Sequence, residues 1–223
     1  MNFKIAIDGP AGSGKSTAAK RIAHELGFVY ADTGAMYRAM GLYCDELGVD
    51  VNDCIAVAHV MPEIKIEVKY NGGEQLVYLN GRNVTDSLRT QKAGMAASAV
   101  AAHGVVRERL TALQRKMGEA SNIVMDGRDI CAYVLPDAQV KVYLDASTLT
   151  RAERRCAELA ANGVEYDFDK IEQEIMERDI FDKSRAIEPL TVADDAVVID
   201  SDKLNTEQVA AEIIALAHAR GLK

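Results

Sequence analysis

Short apolar runs alternate along the chain with longer stretches rich in Ala, Leu, Glu, Lys and Arg. This is the pattern of an α/β fold whose parallel sheet is covered on both faces. Strands are predicted at residues 3–8, 28–31, 122–126, 140–144 and 196–199, each short and apolar enough to be buried on both sides. Helices are predicted at 16–26, 35–47, 92–102, 105–119, 149–161 and 206–219. The last helix opens on a cap-like Asn205 and stops at Gly221. One stretch departs from this alternation. Ile64, Ile66, Val68 and Tyr70 interleave with Lys65, Glu67 and Lys69, a strict period of two that suits a half-exposed antiparallel strand. Asn71-Gly72-Gly73 then leads into residues 75–79, and Asn80-Gly81 into 82–84, so two turns join three short strands into a meander. Bounded by Pro62 and by Thr85-Asp86, the meander reads as a lobe inserted at an edge of the main sheet.

With 223 residues, 48% of them hydrophobic, the chain has ample volume for one large core. Its 34 acidic residues outnumber 26 Lys and Arg, giving a net charge of -8. That balance disfavours nonspecific attraction to nucleic acid or to an anionic membrane, so any anion must be bound by a local basic pocket. No apolar span approaches the roughly 18 residues of a membrane helix, and the first residues already read as a strand rather than a leader peptide. Cys44, Cys54, Cys131 and Cys156 are widely spaced, without a CxxC pair or an ordered pairing with histidines. They are expected to be small buried residues in a reducing cytoplasm.

The strongest chemical signal is Gly9-Pro10-Ala11-Gly12-Ser13-Gly14-Lys15-Ser16, followed by Thr17, directly between the first strand and the first helix. It matches Gly-x-x-x-x-Gly-Lys-[Ser/Thr] in the required context. Such a loop turns successive backbone N–H groups toward phosphate oxygens, and the helix N-terminus adds positive potential. Lys15 would then reach the β and γ phosphates while the Ser16 hydroxyl ligates Mg²⁺. The motif is shared by switches, motors and small-molecule kinases, so the acceptor must be sought elsewhere. No Asn-Lys-x-Asp guanine signature occurs, and the Asp-x-x-Gly at Asp45–Gly48 closes a predicted helix, which weakens the GTPase alternative.

Other clusters set arginine near aspartate or hydroxyl at the ends of predicted elements. Asp32-Thr33-Gly34 to Tyr37-Arg38 follows the second strand; it suits a phosphate site, or a helix cap with a surface arginine. Asp126-Gly127-Arg128-Asp129 follows the apolar stretch 122–125, at the carboxyl end of a strand where α/β proteins bind ligands, or forms an ion-paired turn. Arg178, Asp182 and Arg185 fall on one face of a predicted helix, which by itself most simply gives a solvated, salt-bridged surface.

Taken in order, these segments resemble the bacterial-type cytidylate kinases of the nucleoside monophosphate kinase group. The likeness runs nearly end to end. It includes Leu79-Asn80-Gly81 to Arg89-Thr90, Ala97-Ser98 to Arg107, Pro136-Asp137-Ala138, and Arg178-Asp179 to Arg185 with Pro189-Leu190. The resemblance implies a single P-loop kinase domain over 1–223. Its core would be 1–34, 86–150 and 190–223, its monophosphate-binding region with the antiparallel insert about 35–85, and its lid about 151–189. It implies transfer of the ATP γ-phosphoryl to CMP or dCMP, with ATP held by residues 9–17 and catalysis by Lys15, Arg128 and Arg185. Arg38 and Arg128 are then expected to clamp the acceptor phosphate, and Ser98, Arg107 and Asp129 to read cytosine. Thr33, Tyr37, Arg178 and Asp182 are expected to complete the CMP site near the ribose and phosphate. Mg²⁺ is expected at Ser16, with Asp32 holding it through water and Asp126 at a Walker-B-like position. Arg154 and Arg155 are expected at the base of the lid, near the donor. The family usually follows Gly-Arg-Asp with Ile-Gly-Thr, where this chain has Ile130-Cys131-Ala132, and often has a small polar or basic residue at the position of Phe181. The expected partners are nucleotides alone, with no nucleic acid or membrane, acting on a cytoplasmic monomer.

Overall fold

The computed structural model describes residues 2–223. The chain runs β1 (Lys4–Asp8), α1 (Lys15–Leu26), β2 (Val29–Asp32), α2 (Thr33–Glu46) and a short α3 (Cys54–Val60) into the meander β3 (Ile66–Asn71), β4 (Glu74–Leu79) and β5 (Arg82–Asn83). It continues through α4 (Gln91–Val100), α5 (Gly104–Ala120), β6 (Ile123–Gly127), a single π-helical turn over Ile130–Val134 and β7 (Val140–Asp145). The last elements are α6 (Thr148–Ala161), α7 (Phe168–Ser184), β8 (Val197–Asp200) and α8 (Thr206–Ala219).

Five parallel strands lie in the order β2-β6-β1-β7-β8. Every residue of β1 is buried, and successive side chains enter opposite layers. Ile5 and Ile7 pack with Ile22 of α1 and Ile213 of α8, whereas Ala6 faces Met125, Ile130 and Leu135. β1 is flanked by β6 on one side and β7 on the other, so the loop after it opens at the point where the strand order reverses. Ligands of open α/β sheets bind at such a point, beyond the carboxyl ends of the strands. The loop sits tight against the sheet. A Cβ built on Gly9, whose φ is +148°, would lie 2.1 Å from the Leu144 carbonyl oxygen, so no other residue fits there.

The predicted meander forms as a separate antiparallel sheet, with Ile66 opposite Leu79 and Val68 opposite Val77. Ile64, expected within its first strand, precedes β3 as a buried residue. The sheet is tied to the edge strand of the main sheet by one side chain. Gln75 accepts from the Asp32 amide at 2.8 Å and donates to the Asp32 carbonyl at 3.1 Å, imitating a strand pairing. Beneath it, Met36, Met40 and Cys44 of α2 pack with Val77, Leu79 and Val100 in the second main core.

Two sequence expectations change. Cys44, Cys131 and Cys156 are buried, but Cys54 is exposed at the start of α3, whose cap is Asp53. The helix carrying Arg178 and Asp182 ends at Ser184, so Arg185 lies just beyond it in extended backbone. Among the described residues no helix is long and apolar enough to cross a membrane.

Candidate active site

The loop from Gly9 to Ser16 forms part of the walls of two clefts. The first, about 560 Å³, is lined by the loop from Gly12, the start of α1, Arg151, Arg154 and Arg155 of α6, and Asn205 and Thr206 at the start of α8. The second, about 290 Å³, lies on the other side of Lys15 and Ser16. It brings together Thr33, Tyr37, Arg38, Ser98, Arg107, Arg128, Asp129, Arg178, Asp182 and Arg185. These residues come from α2, α4, α5, the turn after β6, and the end of α7. All of the acceptor-site residues predicted from sequence therefore face one cavity, and Asp32 and Asp126 face it as well.

Lys15 is 4% exposed, with its Nζ 2.6 Å from the Pro10 carbonyl oxygen. Burial, followed by the charge of Arg128, holds its pKa well below the usual lysine range. At the same junction the Ser16 hydroxyl donates to Asp126 Oδ2 at 2.8 Å, and Tyr30 donates to Asp126 Oδ1 at 2.9 Å. Burial and the neighbouring Asp32 raise the Asp126 pKa. Asp32 itself caps α2 by accepting from the Ala35 amide at 3.0 Å, and it accepts from Arg38 at 2.5 Å. The helix cap forms, and Arg38 is not a free surface arginine but pairs with the capping Asp32 at the wall of the second cleft.

The second cleft concentrates positive charge that its own carboxylates leave partly unpaired. Arg128 donates to Asp182 Oδ2 at 3.0 Å. Burial raises the Asp182 pKa, but Arg128 and Arg178 outweigh it and hold the carboxyl below its usual range. Arg178 has the opposite fate: burial and the charge of Arg128 lower its pKa to about 10. Burial and Arg107 lower that of Arg185 as well. The Arg178 Nε, the Arg185 Nη2 and the Tyr37 hydroxyl are buried without a hydrogen-bond partner among the described residues. Desolvated donors in this state cost free energy until an acceptor fills the space between them. A dianionic phosphate meets that need, and guanidinium forks match its oxygens. Because Asp182 is 3% and Asp179 9% exposed, the solvated-surface alternative for this helix does not hold.

Deeper in the pocket Arg107 is 2% exposed and ion-paired with Asp129. Burial raises the Asp129 pKa even against that pair. Gly127 closes the turn that delivers both Arg128 and Asp129. A Cβ there would stand 2.6 Å from Thr33 Oγ1 and 2.7 Å from Ile130 Cδ1.

A cytidylate kinase family model matches residues 5–219. The chain is 47% identical over 216 residues to a cytidylate kinase of Geobacillus thermodenitrificans, covering 97% of this chain and 96% of the relative. It is 46% identical over 218 residues to the cytidylate kinase of Geobacillus kaustophilus, covering 98% and 97%. A third cytidylate kinase, of Anoxybacillus flavithermus, is 44% identical over 218 residues, covering 98% and 97%. The chain belongs to the cytidylate kinase family.

Cys131 lies buried in the turn after β6. Its amide and that of Ile130 donate to the two Asp8 oxygens, each at 2.8 Å, and its thiol lies 3.6 Å from the Ala6 and Val142 carbonyl oxygens. Burial, then the Asp129 charge, raises the pKa of Asp8 to about 6. Asp8 therefore fastens the turn carrying Arg128 and Asp129 to the strand that carries the phosphate loop. Sequence reasoning gave it no role of its own because it lies outside the loop motif. It also passed over Arg151, which donates through Nη1 and Nη2 to both oxygens of Asp179, at 3.0 and 2.5 Å, and to the Ala11 carbonyl at 3.2 Å. A signal was available: arginines at 151, 154 and 155 crowd the N-terminal half of a helix, where the macrodipole disfavours cations.

Proposed function

We propose that this member of the cytidylate kinase family transfers the γ-phosphoryl of ATP to the phosphate of CMP or dCMP, giving ADP and CDP or dCDP. The observation that carries the reading is the shared wall: Lys15 and Ser16 line both clefts, so a donor phosphate on the loop would face an acceptor phosphate among Arg38, Arg128, Arg178 and Arg185. Residues Gly9 to Thr17 bind ATP, with the triphosphate along the loop and the nucleoside toward Asn205 and Thr206.

The chemistry needs no dedicated base. The second pKa of a phosphate monoester is about 6, so the attacking oxygen is already ionised at neutral pH. The larger obstacle is repulsion between two anions, and the arginines and Lys15 offset it. An acceptor oxygen attacks the γ-phosphorus in line as the bond to the β-phosphate oxygen breaks, and Lys15 and Arg185 neutralise the charge spreading over the transferred group. Lys15 enters this role from a pocket where burial has already removed its hydration. Ser98, Arg107 and Asp129 read the base. Asp129 uses Oδ2 for Arg107, which leaves Oδ1 to accept from the exocyclic N4 amine of cytosine; uracil would set an oxygen there instead. Thr33, Tyr37 and Asp182 complete the acceptor site.

The donor set at the junction fits Mg²⁺: a hydroxyl on Ser16 bonded to a carboxylate on Asp126, both hard oxygen ligands, with Asp32 alongside. Ser16 and Asp126 would hold the ion or its waters, and Asp32, already committed to Arg38, would act only through water. When bound, Mg²⁺ would neutralise phosphate charge on the donor.

In this reading the core is 1–34, 86–150 and 190–223, the acceptor region about 35–85, and the lid about 151–189, closing to exclude water from the phosphates. The protein works as a cytoplasmic monomer on small nucleotides. The test is ADP release from MgATP with CMP, dCMP, UMP, AMP or GMP against a no-acceptor control. CMP and dCMP should stand well above the others. Preference for another monophosphate, or release that no acceptor stimulates, would overturn the reading.

A further inference from the structure

Glu188 has a backbone φ of +47°, a conformation that costs a side-chain-bearing residue free energy and that the following Pro189 restricts further. A residue held this way is over-determined by its surroundings, and here the surroundings are two arginines of the acceptor pocket. Its carboxylate Oε2 accepts from Arg107 Nε at 2.5 Å. Its carbonyl oxygen accepts from Arg185 Nε at 2.7 Å. The first contact is shielded from water: the Glu188 side chain is 21% exposed and that of Arg107 only 2%.

Arg107 is consequently gripped at all three nitrogens. Nε is taken by Glu188, Nη1 donates to the Ala101 carbonyl at 3.2 Å, and Nη2 donates to Asp129 Oδ2. The guanidinium plane also lies against Tyr37, 5.6 Å from the ring centre. An arginine paired with Asp129 alone could rotate about its Cδ–Nε bond and turn its fork away from the pocket. The bonds to Ala101 and Glu188 together remove that freedom. Both residues line the cavity, where the guanidinium keeps a second Nη2 hydrogen, a donor, and Asp129 keeps Oδ1, an acceptor. A donor beside an acceptor complements the N3 acceptor and N4 donor of cytosine. Uracil presents the reverse at both positions, an N3 hydrogen and the O4 oxygen, and would meet like against like.

We propose that Glu188 is a positioning residue that sets base specificity, fixing Arg107 so that the Arg107–Asp129 edge reads cytosine, while its strained backbone holds Arg185 over the acceptor. The inference rests on the CMP-phosphorylating function above. It adds a residue from the segment after α7 to the base pocket, so the same short segment serves base recognition and Arg185, assigned above to the transferring phosphate.

The test compares wild type with Glu188→Ala, Glu188→Gln and Glu188→Gly, by initial rates with CMP and with UMP at saturating MgATP, and by thermal melting. Glu188→Ala should raise the CMP KM about tenfold and lower the ratio of CMP to UMP kcat/KM about tenfold, with the ATP KM unchanged within twofold. Glu188→Gln keeps an oxygen for Arg107 Nε and should retain most of the ratio. Glu188→Gly loses the same carboxylate but relieves the backbone, so it should melt higher than Glu188→Ala and still lose discrimination. A purely structural role would lower the melting temperature and leave the ratio intact. The proposal is overturned if the Ala and Gly variants are folded and keep the wild-type ratio; CMP use by wild type in that case leaves the kinase reading standing. Wild type that ignores CMP overturns both.

Discussion

The two clefts that meet at Lys15 are built by different means. In the proposed reading the donor side centres on one contiguous loop whose glycines bring N–H groups to a phosphate, held by close packing against β7 at Gly9, with side chains of α6 and α8 completing its cleft. The acceptor side is almost all side chain, assembled from α2, α4, α5, the turn after β6 and the end of α7. A contiguous loop survives most changes around it, whereas a pocket of arginines depends on each carboxylate that orients them. The difference implies that single substitutions should separate the two sides kinetically. Lys15→Ala should reduce kcat about a thousandfold, the loss found when one donor to the developing charge is removed. Arg128→Ala should raise the CMP KM about a hundredfold while leaving the ATP KM within about threefold. Initial-rate kinetics on folded variants would decide it, and equal effects of Arg128→Ala on both KM values would break the separation.

A further contact joins the two sides through the lid. Arg151 touches the phosphate loop at Ala11 and holds Asp179, the immediate neighbour of Arg178. Asp179→Asn leaves a buried guanidinium with half its pairing, which should cost roughly 3 kcal/mol and lower the melting temperature by about 10 °C. Unlike Arg128→Ala, it should raise both KM values together. A variant that melts as wild type does would remove Arg151 and Asp179 as the bridge.

Much of this was legible in sequence for reasons that are local. The phosphate loop declares itself because its chemistry needs consecutive residues, and the meander because a period of two with Asn-Gly turns has few other solutions. The acceptor arginines were legible only as an ordered set. Taken alone, the pair at Arg178 and Asp182 looked like a surface, because spacing on a helix does not say which face is buried. Arg185 was placed on that helix, yet the helix stops one residue earlier, where a boundary depends on the cap and on tertiary contacts. Glu188, Asp8 and Arg151 left no local mark of this kind. Each also acts through a distant partner, Arg107 for Glu188, Ile130 for Asp8 and Asp179 for Arg151, 28 or more positions away. The π-helical turn at Ile130 was invisible as well, since it forms around the Asp8 carboxylate rather than from any preference of its own residues.

Asp8 sharpens the comparison through pH. Its folded pKa of about 6 lies above the ordinary 3.8, so between those values the folded state binds more protons than the unfolded chain. Stability from this group is therefore greatest below about pH 4 and falls as pH rises to about 6, by an amount on the order of 2–3 kcal/mol. Asp8→Asn cannot titrate. Urea midpoints at pH 4 and pH 7 should show wild type losing stability relative to the variant by that amount. An unchanged difference would mean that the turn of the acceptor side is not tied to β1 by a buried, desolvated carboxylate.

The smallest effect belongs to the donor side. Arg154 donates to the Ser201 hydroxyl at 3.1 Å and to the Ser201 carbonyl at 2.6 Å, and Ser201 donates to the Ser13 carbonyl at 3.0 Å. Arg154 thus supports the phosphate loop from outside through one intermediary, and its half-buried guanidinium also lines the donor cleft. Replacing it with alanine removes two hydrogen bonds to a group that keeps its own bond to the loop, so the cost should be about 1 kcal/mol. That corresponds to a three- to sixfold rise in the ATP KM at saturating CMP, with the CMP KM unchanged. If the CMP KM rose equally, the loop could not be the separately supported, backbone-built half of the site, because a change on its far side would have crossed Lys15 into the arginine pocket.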